Sequence, residues 1–234
     1  MKASDLFVRC LEAEGVERIF GVPGEENADI MLSLMDSSID FVLCRHEQAA
    51  AFMADGYGRL TGKAGVCLAT LGPGVTNLVT GLADANMDQA STRRLHKESH
   101  QNMDSIAMVR PISKWAHSIY TPEAIPETVR KAFKIAEQEK PGVTVIELPE
   151  DVAHAEVGGE PIKPHKTRRA AADHKAVRQA VEAIATAKNP IVLSGNGAVR
   201  KRAAQQLRRL VRKTGIGCVN TFMGKGAVSL EDPH

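Results

Sequence analysis

The chain has 234 residues, of which 43% are hydrophobic and 25% charged, enough for one large globular domain or for one domain and part of another. Aromatics make up 4% and the formal net charge is +2, so the core must be aliphatic and a highly charged, disordered chain is excluded. The charge is unevenly spread: residues 1–90 carry 6 Lys+Arg against 13 Asp+Glu, and residues 91–234 carry 24 against 15.

Ser4 can N-cap a helix over 5–14, which Gly15 stops. A short strand follows over 16–22. Asn27 or Glu26 opens a second helix running to 36, and 41–44 is strand again. The small-residue stretch 48–59 reads as a helix, so Glu47 stands at a strand-to-helix junction. Residues 64–71 read as a buried strand, and Pro73 begins a helix to about 88. Strand and helix alternate with short loops, which predicts an α/β fold: a parallel sheet with helices on both faces.

After Gln89 the rhythm breaks. Residues 90–102 are polar where an apolar strand is due. Order resumes over 105–109 and 112–119. Pro126 then opens a helix to 138, and 143–148 is a closing strand. Residues 150–172 look like a linker, rich in Pro, Gly, His and basic residues without apolar period. A second, Rossmann-like unit follows: helix 175–187, strand 190–194, basic helix 200–213 and strand 217–222. Two strands are too few for a stable sheet, so the ending at Asp232-Pro233-His234 reads as a truncation.

Residues 160–213 hold 14 basic and 3 acidic side chains, but no interleaved aromatics or nucleic-acid motif, so they read as solvated faces and no nucleic acid is expected. Cysteines 10, 44, 67 and 218 lack CxxC spacing, which suggests a reducing compartment. With no signal peptide and no apolar run near the ~20 residues of a membrane span, the expectation is a cytoplasmic protein that does not bind membranes.

Three strand-to-helix turns could carry chemistry. Gly72-Pro73-Gly74 permits a tight turn and close ligand approach, and free N–H groups there suit an anion or a polar ring. Gly21-Val22-Pro23-Gly24 follows the same logic. Ser194-Gly195-Asn196-Gly197 resembles a dinucleotide turn, but Arg200 stands where the third glycine belongs. His96 and His100 are spaced i, i+4, without the HExxH pattern of a zinc protease. Glu47 reads either as an active-site acid or as a first-turn carboxylate favoured by the helix dipole.

The runs Phe20-Gly-Val-Pro-Gly24, Arg45-His-Glu-Gln48 through Gly62, and Gly65 through Leu71-Gly-Pro-Gly74-Val-Thr-Asn77 resemble the thiamine-diphosphate-dependent 2-oxo-acid enzymes. The chain looks most like acetolactate synthase large subunits, and 95–114 is similar to the branch that holds acetolactate synthases and pyruvate oxidases. The resemblance implies a pyrimidine-binding domain over 1–160, a linker over 161–172 and part of a central domain over 173–234. It implies that Glu47 hydrogen-bonds N1′ of the cofactor's aminopyrimidine, favouring the imino form that serves as base. Pro23, Gly24, Thr70, Pro73 and Asn77 match the cofactor-binding loops, and Gln101 matches a substrate-side position.

The implied activity is decarboxylation of pyruvate and transfer of the two-carbon unit to a second 2-oxo acid, in a homodimer or tetramer. Mg2+ would be held by a C-terminal domain outside this sequence. FAD stays open, since biosynthetic synthases carry it and catabolic ones do not. A pyruvate oxidase, sulfoacetaldehyde acetyltransferase or glyoxylate carboligase, and a non-catalytic binding module, are the alternatives. One departure stands out: relatives have an apolar strand of roughly ten residues where this chain passes from Ala90 to Ser91.

Overall fold

In the computed structural model, which describes residues 1–86, 104–165 and 171–228, the chain divides into two units, Met1–Thr167 and Arg168–His234. The first begins with α1 (Ala3–Ala13), which buries Leu6, Val8, Cys10 and Leu11 over more than half of its circumference. It starts earlier than Ser4. Lys2 is the N-cap residue, its N–H bonded to the Asp5 carboxylate at 3.1 Å, while Ser4 is fully buried and accepts a hydrogen bond from Ser33. Gly15, at φ +79°, turns the chain out of the helix.

The chain then alternates through β1 (Arg18–Gly21), α2 (Ala28–Met35), β2 (Asp40–Leu43), α3 (Glu47–Thr61), β3 (Val66–Leu68) and α4 (Pro73–Asn86). After the undescribed stretch come α5 (Ser105–Val109), β4 (Trp115–Ser118), α6 (Ile125–Glu137), β5 (Thr144–Glu147) and α7 (Glu150–His154). Every strand pairing in this unit is parallel. One sheet has the order β2-β1-β3, with Phe20 opposite Val42 and Cys67; the other pairs β4 with β5, Trp115 opposite Thr144. Two aliphatic clusters form the core. The larger holds Leu6, Ile19, Ile119, Ile125 and Val129, and the smaller holds Ala51, Leu78, Leu82 and Val109. Scarce aromatics and abundant Ile, Val and Leu are what these clusters are made of.

Two expectations need correction. The strand expected over 64–71 is only Val66–Leu68, half-buried throughout, because Gly65 passes directly under α3 and Ala69 already leaves the sheet. The linker expected from 150 begins later. Val152, Ala153 and Val157 are buried in the core, and Ala3 and Val157 donate N–H bonds to the carbonyls of Ala155 and Met1 at 2.9 and 3.0 Å. Two backbone bonds and three buried side chains outweigh the local lack of apolar period. Trp115 is half-buried, stacks on His117 at 5.3 Å and has the Lys131 ammonium 5.2 Å from its ring. The polar stretch after Gln89, with His96 and His100, lies outside the described residues.

In the second unit, α8 (His174–Thr186) is exposed along its length. Strand β6 (Ile191–Ser194) pairs in parallel with β7 (Gly217–Asn220), and α9 (Lys201–Thr214) buries Ala204 and Val211. The turn at Gly195–Gly197 opens a short 3-10 segment over Asn196–Val199. Among the described residues, no helix is long and apolar enough to cross a membrane.

Glu12 ties α1 to the loop after α2. Its Oε1 accepts from the Ser38 N–H at 2.9 Å and from the Ser37 hydroxyl at 2.8 Å, and these bonds hold its carboxyl below the ordinary value. A depressed folded-state pKa contributes stability that is present above the ordinary value of 4.5 and lost as pH falls through the folded one. Glu12→Gln should therefore lower stability at pH 7 and lose less than wild type between pH 7 and the acid range. Urea melts of both proteins at several pH values check this; parallel losses would show that Glu12 does not carry the linkage.

Candidate active site

Two helices and two turns converge on one carboxylate. Glu47 is the first residue of α3 and is 8% exposed. His46 caps the helix, its Nδ1 accepting from the Gln48 N–H at 3.2 Å, so that ring nitrogen carries no proton. A carboxylate at a helix N-terminus is favoured by the partial positive charge there. Oε2 accepts from the Asn77 side-chain amide on α4 at 2.9 Å. Oε1 lies against Gly74, where an added Cβ would come within 3.3 Å of it. No described residue donates to Oε1. Since no described side-chain oxygen or nitrogen is both sealed off and unpartnered, Oε1 is not sealed off.

Small residues permit this convergence. An added Cβ at Gly81 on α4 would lie 2.4 Å from Ala51 Cβ on α3, so the two helices touch backbone to backbone. At Gly65 the added Cβ would lie 1.9 Å from the Ala54 carbonyl oxygen, which sets β3 directly beneath α3. Gly72, at φ +62°, makes the turn that Pro73 converts into the start of α4.

Thr70 is the hub between the two glycine turns. A Cβ at Gly24 would come within 2.6 Å of Thr70 Cβ, and one at Gly74 within 3.1 Å of Thr70 Cγ2. The Thr70 hydroxyl donates to the Glu26 carboxylate. Asn27, 5% exposed, braces the first turn by accepting the Gly24 N–H at 3.0 Å.

Of the residues singled out from sequence, Gly24, Glu47, Thr70 and Asn77 therefore form one connected cluster. Pro23 and Pro73 are exposed neighbours on its two turns. Gln101 lies outside the described residues. Sequence reasoning missed Glu26, read only as a helix opener, and Gly81. A glycine in the middle of a good helix was a usable signal for Gly81, because it costs about 1 kcal/mol relative to Ala unless packing demands it. Among the described residues, no group of three or more His, Cys, Asp and Glu could hold a metal ion.

Residues 1–92 match the family described as thiamine pyrophosphate enzyme, N-terminal TPP binding domain, and residues 177–234 match thiamine pyrophosphate enzyme, central domain. The chain is 38% identical over 249 positions to the "Probable acetolactate synthase large subunit" of Methanocaldococcus jannaschii, covering 100% of this chain and 42% of the relative. It is 39% identical to the "Acetolactate synthase, catabolic" of Raoultella terrigena, covering 98% and 43%. It is 33% identical to the "Acetolactate synthase isozyme 2 large subunit" of Escherichia coli, covering 100% and 44%. The chain thus spans less than half the length of these relatives.

The contact at Gly81 gives a test of what sets the site. Gly81→Ala gains up to about 1 kcal/mol in helix propensity but forces two β-carbons together, which costs about 1–3 kcal/mol. The clash should win, with a net loss of about 1–2 kcal/mol in a denaturant melt. A stabilised variant would show that α3 and α4 can separate freely.

Proposed function

We propose, for a chain that carries N-terminal and central domains of the thiamine pyrophosphate enzymes, that residues 1–160 hold the pyrimidine end of thiamine diphosphate. In this reading 161–172 link that domain to a part of the central domain over 173–234. The observation that carries it is Glu47: a nearly buried carboxylate with one oxygen fixed and the other not sealed off, beside a glycine.

The residues present fit a flat polar ring. Gly24 and Gly74 lack the side chains that would crowd Thr70 and Oε1. When bound, thiamine diphosphate supplies the thiazolium that stabilises the carbanion left when a 2-oxo acid loses CO2. With the cofactor bound, Glu47 would hydrogen-bond N1′ of the pyrimidine through Oε1 and favour the imino form. Asn77 keeps Oε2 engaged, so that the carboxylate neither rotates away nor offers the ring its second oxygen. Thr70, steadied by Glu26, keeps the Gly24 and Gly74 turns at a fixed separation. Pro23 and Pro73 stiffen those turns.

For the whole protein the proposal is an acetolactate-synthase-like enzyme. It decarboxylates pyruvate and joins the two-carbon unit to a second 2-oxo acid, with Mg2+ and the diphosphate held by residues outside 1–234. Assembly as a homodimer or tetramer fits the exposed apolar side chains Leu43, Phe52, Met53 and Leu60 around α3.

Glu47→Gln, in this chain extended with the remaining length of the Methanocaldococcus jannaschii relative, should cut turnover by about 10²-fold or more with folding unchanged. Wild-type turnover at saturating cofactor would sink the assignment. Residues 1–234 alone should not bind thiamine diphosphate tightly, even with Mg2+, because the charge-assisted contacts to the diphosphate are the strong ones and lie elsewhere. Titration calorimetry decides; a micromolar, Mg2+-dependent dissociation constant would reveal a diphosphate site within this chain.

A further inference from the structure

The helix that carries Glu47 is capped by an uncommon residue. N-caps are ordinarily Ser, Thr, Asp or Asn, whose side-chain oxygens accept a backbone N–H throughout the neutral range. Here the cap is His46, in extended backbone at φ −157° and ψ 138°, and the accepting atom is Nδ1. The first N–H groups of a helix have no partner in a preceding turn. Ala49 and Ala50 donate to the His46 carbonyl at 3.1 and 3.2 Å. The Gln48 N–H turns instead to the ring nitrogen at 3.2 Å, and among the described residues that nitrogen is its only acceptor. Glu47 lies between the cap and the capped amide, so its carboxylate moves with this first turn.

An imidazole nitrogen accepts only while it is unprotonated. Protonation of His46 would set two N–H groups against each other and place a positive charge at the positive end of the helix dipole. Both effects turn the ring away from the cap, and His46 is exposed, so water can receive it. Histidine is the side chain whose ordinary titration falls between pH 5 and 8. Beside His46 in the chain stand Arg45 and Glu47, and Glu25 and Glu26 follow the Gly24 turn. Further along α3, Asp55 pairs with Arg59 and Tyr57 donates to Glu17. The elements packed against α3 add Asp84 on α4, Arg18 on β1 and Cys67 on β3. Arg18 lies 3.5 Å from Asp40, and burial pushes the Cys67 thiol up to about 12. None of these elements bears a second histidine.

We propose that His46 is a positioning residue for Glu47: neutral, it locks the first turn of α3 and so holds the carboxylate against Asn77; protonated, it releases both. It acts through the Gln48 amide and not on a reacting atom. A neutral ring also suits this place better than the commoner acidic cap, because an aspartate at 46 would stand as a like charge beside Glu47. The site is therefore assembled at neutral and alkaline pH and loosened in acid. Its weight in catalysis rests on the reading of Glu47 given above. The hold itself belongs to residues 1–234 and is measured without cofactor.

The test is nuclear magnetic resonance on nitrogen-15-labelled 1–234, across the histidine range, for wild type, His46→Asn and His46→Ala. Asparagine caps through a side-chain oxygen and does not titrate. In wild type, Gln48 amide exchange, corrected for its intrinsic pH dependence, should lose protection about fivefold on acidification, the scale of one cap. The Asn77 side-chain amide resonances should move over the same range, because Glu47 Oε2 is their acceptor. His46→Asn should hold both signals flat, and His46→Ala should show the acid state throughout. Wild-type Gln48 protection that ignores pH would overturn the proposal. So would an Asn variant with the wild-type dependence, since another group would then be titrating. A Gln48 response with unmoved Asn77 resonances would also overturn it, because the cap would not be positioning Glu47. Should the Ala variant not fold, wild type against His46→Asn still decides. None of these outcomes touches the cofactor reading, which the turnover of Glu47→Gln tests separately.

Discussion

The contact between α3 and α4 is the constraint on which the candidate site depends. The two helices approach until Gly81 meets Ala51, a separation that no side chain larger than hydrogen at 81 accommodates without displacement. That distance puts Asn77, one turn earlier on α4, within a hydrogen bond of Glu47 at the head of α3. Below, Gly65 lets β3 run under Ala54, so the same strand that pairs with β1 delivers Thr70 to the cluster. A carboxylate that reaches out from a helix start is common. What distinguishes this one is that neighbouring helices decide which of its oxygens is occupied.

The two glycine turns have different tasks. Gly72 supplies a left-handed backbone and so sets a direction. Gly24 and Gly74 supply absence: each removes a methyl group where Thr70 or Glu47 must pass. Thr70 then links the turns and is itself held by Glu26, so two carboxylates flank the hub with different duties. One is spent on structure, and the other keeps an oxygen that is not sealed off.

Much of this was legible in the sequence because alternation of strand and helix is a local signal. The Glu47 junction, the start of α4 at Pro73 and the helix stop at Gly15 all follow from neighbours within a few residues. What escaped was non-local. Residues 150–157 look like linker in isolation, yet Val152, Ala153 and Val157 are buried where the chain's first residues hydrogen-bond to this stretch. The strand over 64–71 shrank to three residues because Gly65 tucks under Ala54 of α3 and Ala69 already leaves the sheet, contacts no neighbouring residue announces. Glu26 carried no pattern of its own; its role exists only once Thr70 is folded beside it.

The stitching of α1 to the far end of the unit has a consequence for the order of events during synthesis. Helix α1 leaves the ribosome before the rest of this unit, yet Ala3 finds its carbonyl partner at Ala155 and Met1 at Val157, after the five described strands of the unit have been made. Until then Leu6, Val8 and Leu11 have only part of their cover. The contacts that span the most sequence are also those that finish the core, so closure comes late and as a single act, with α7 sealing what α1 began. A nascent chain paused before residue 150 would therefore show its oldest helix as its least protected, a natural handle for a chaperone that recognises exposed aliphatic stripes.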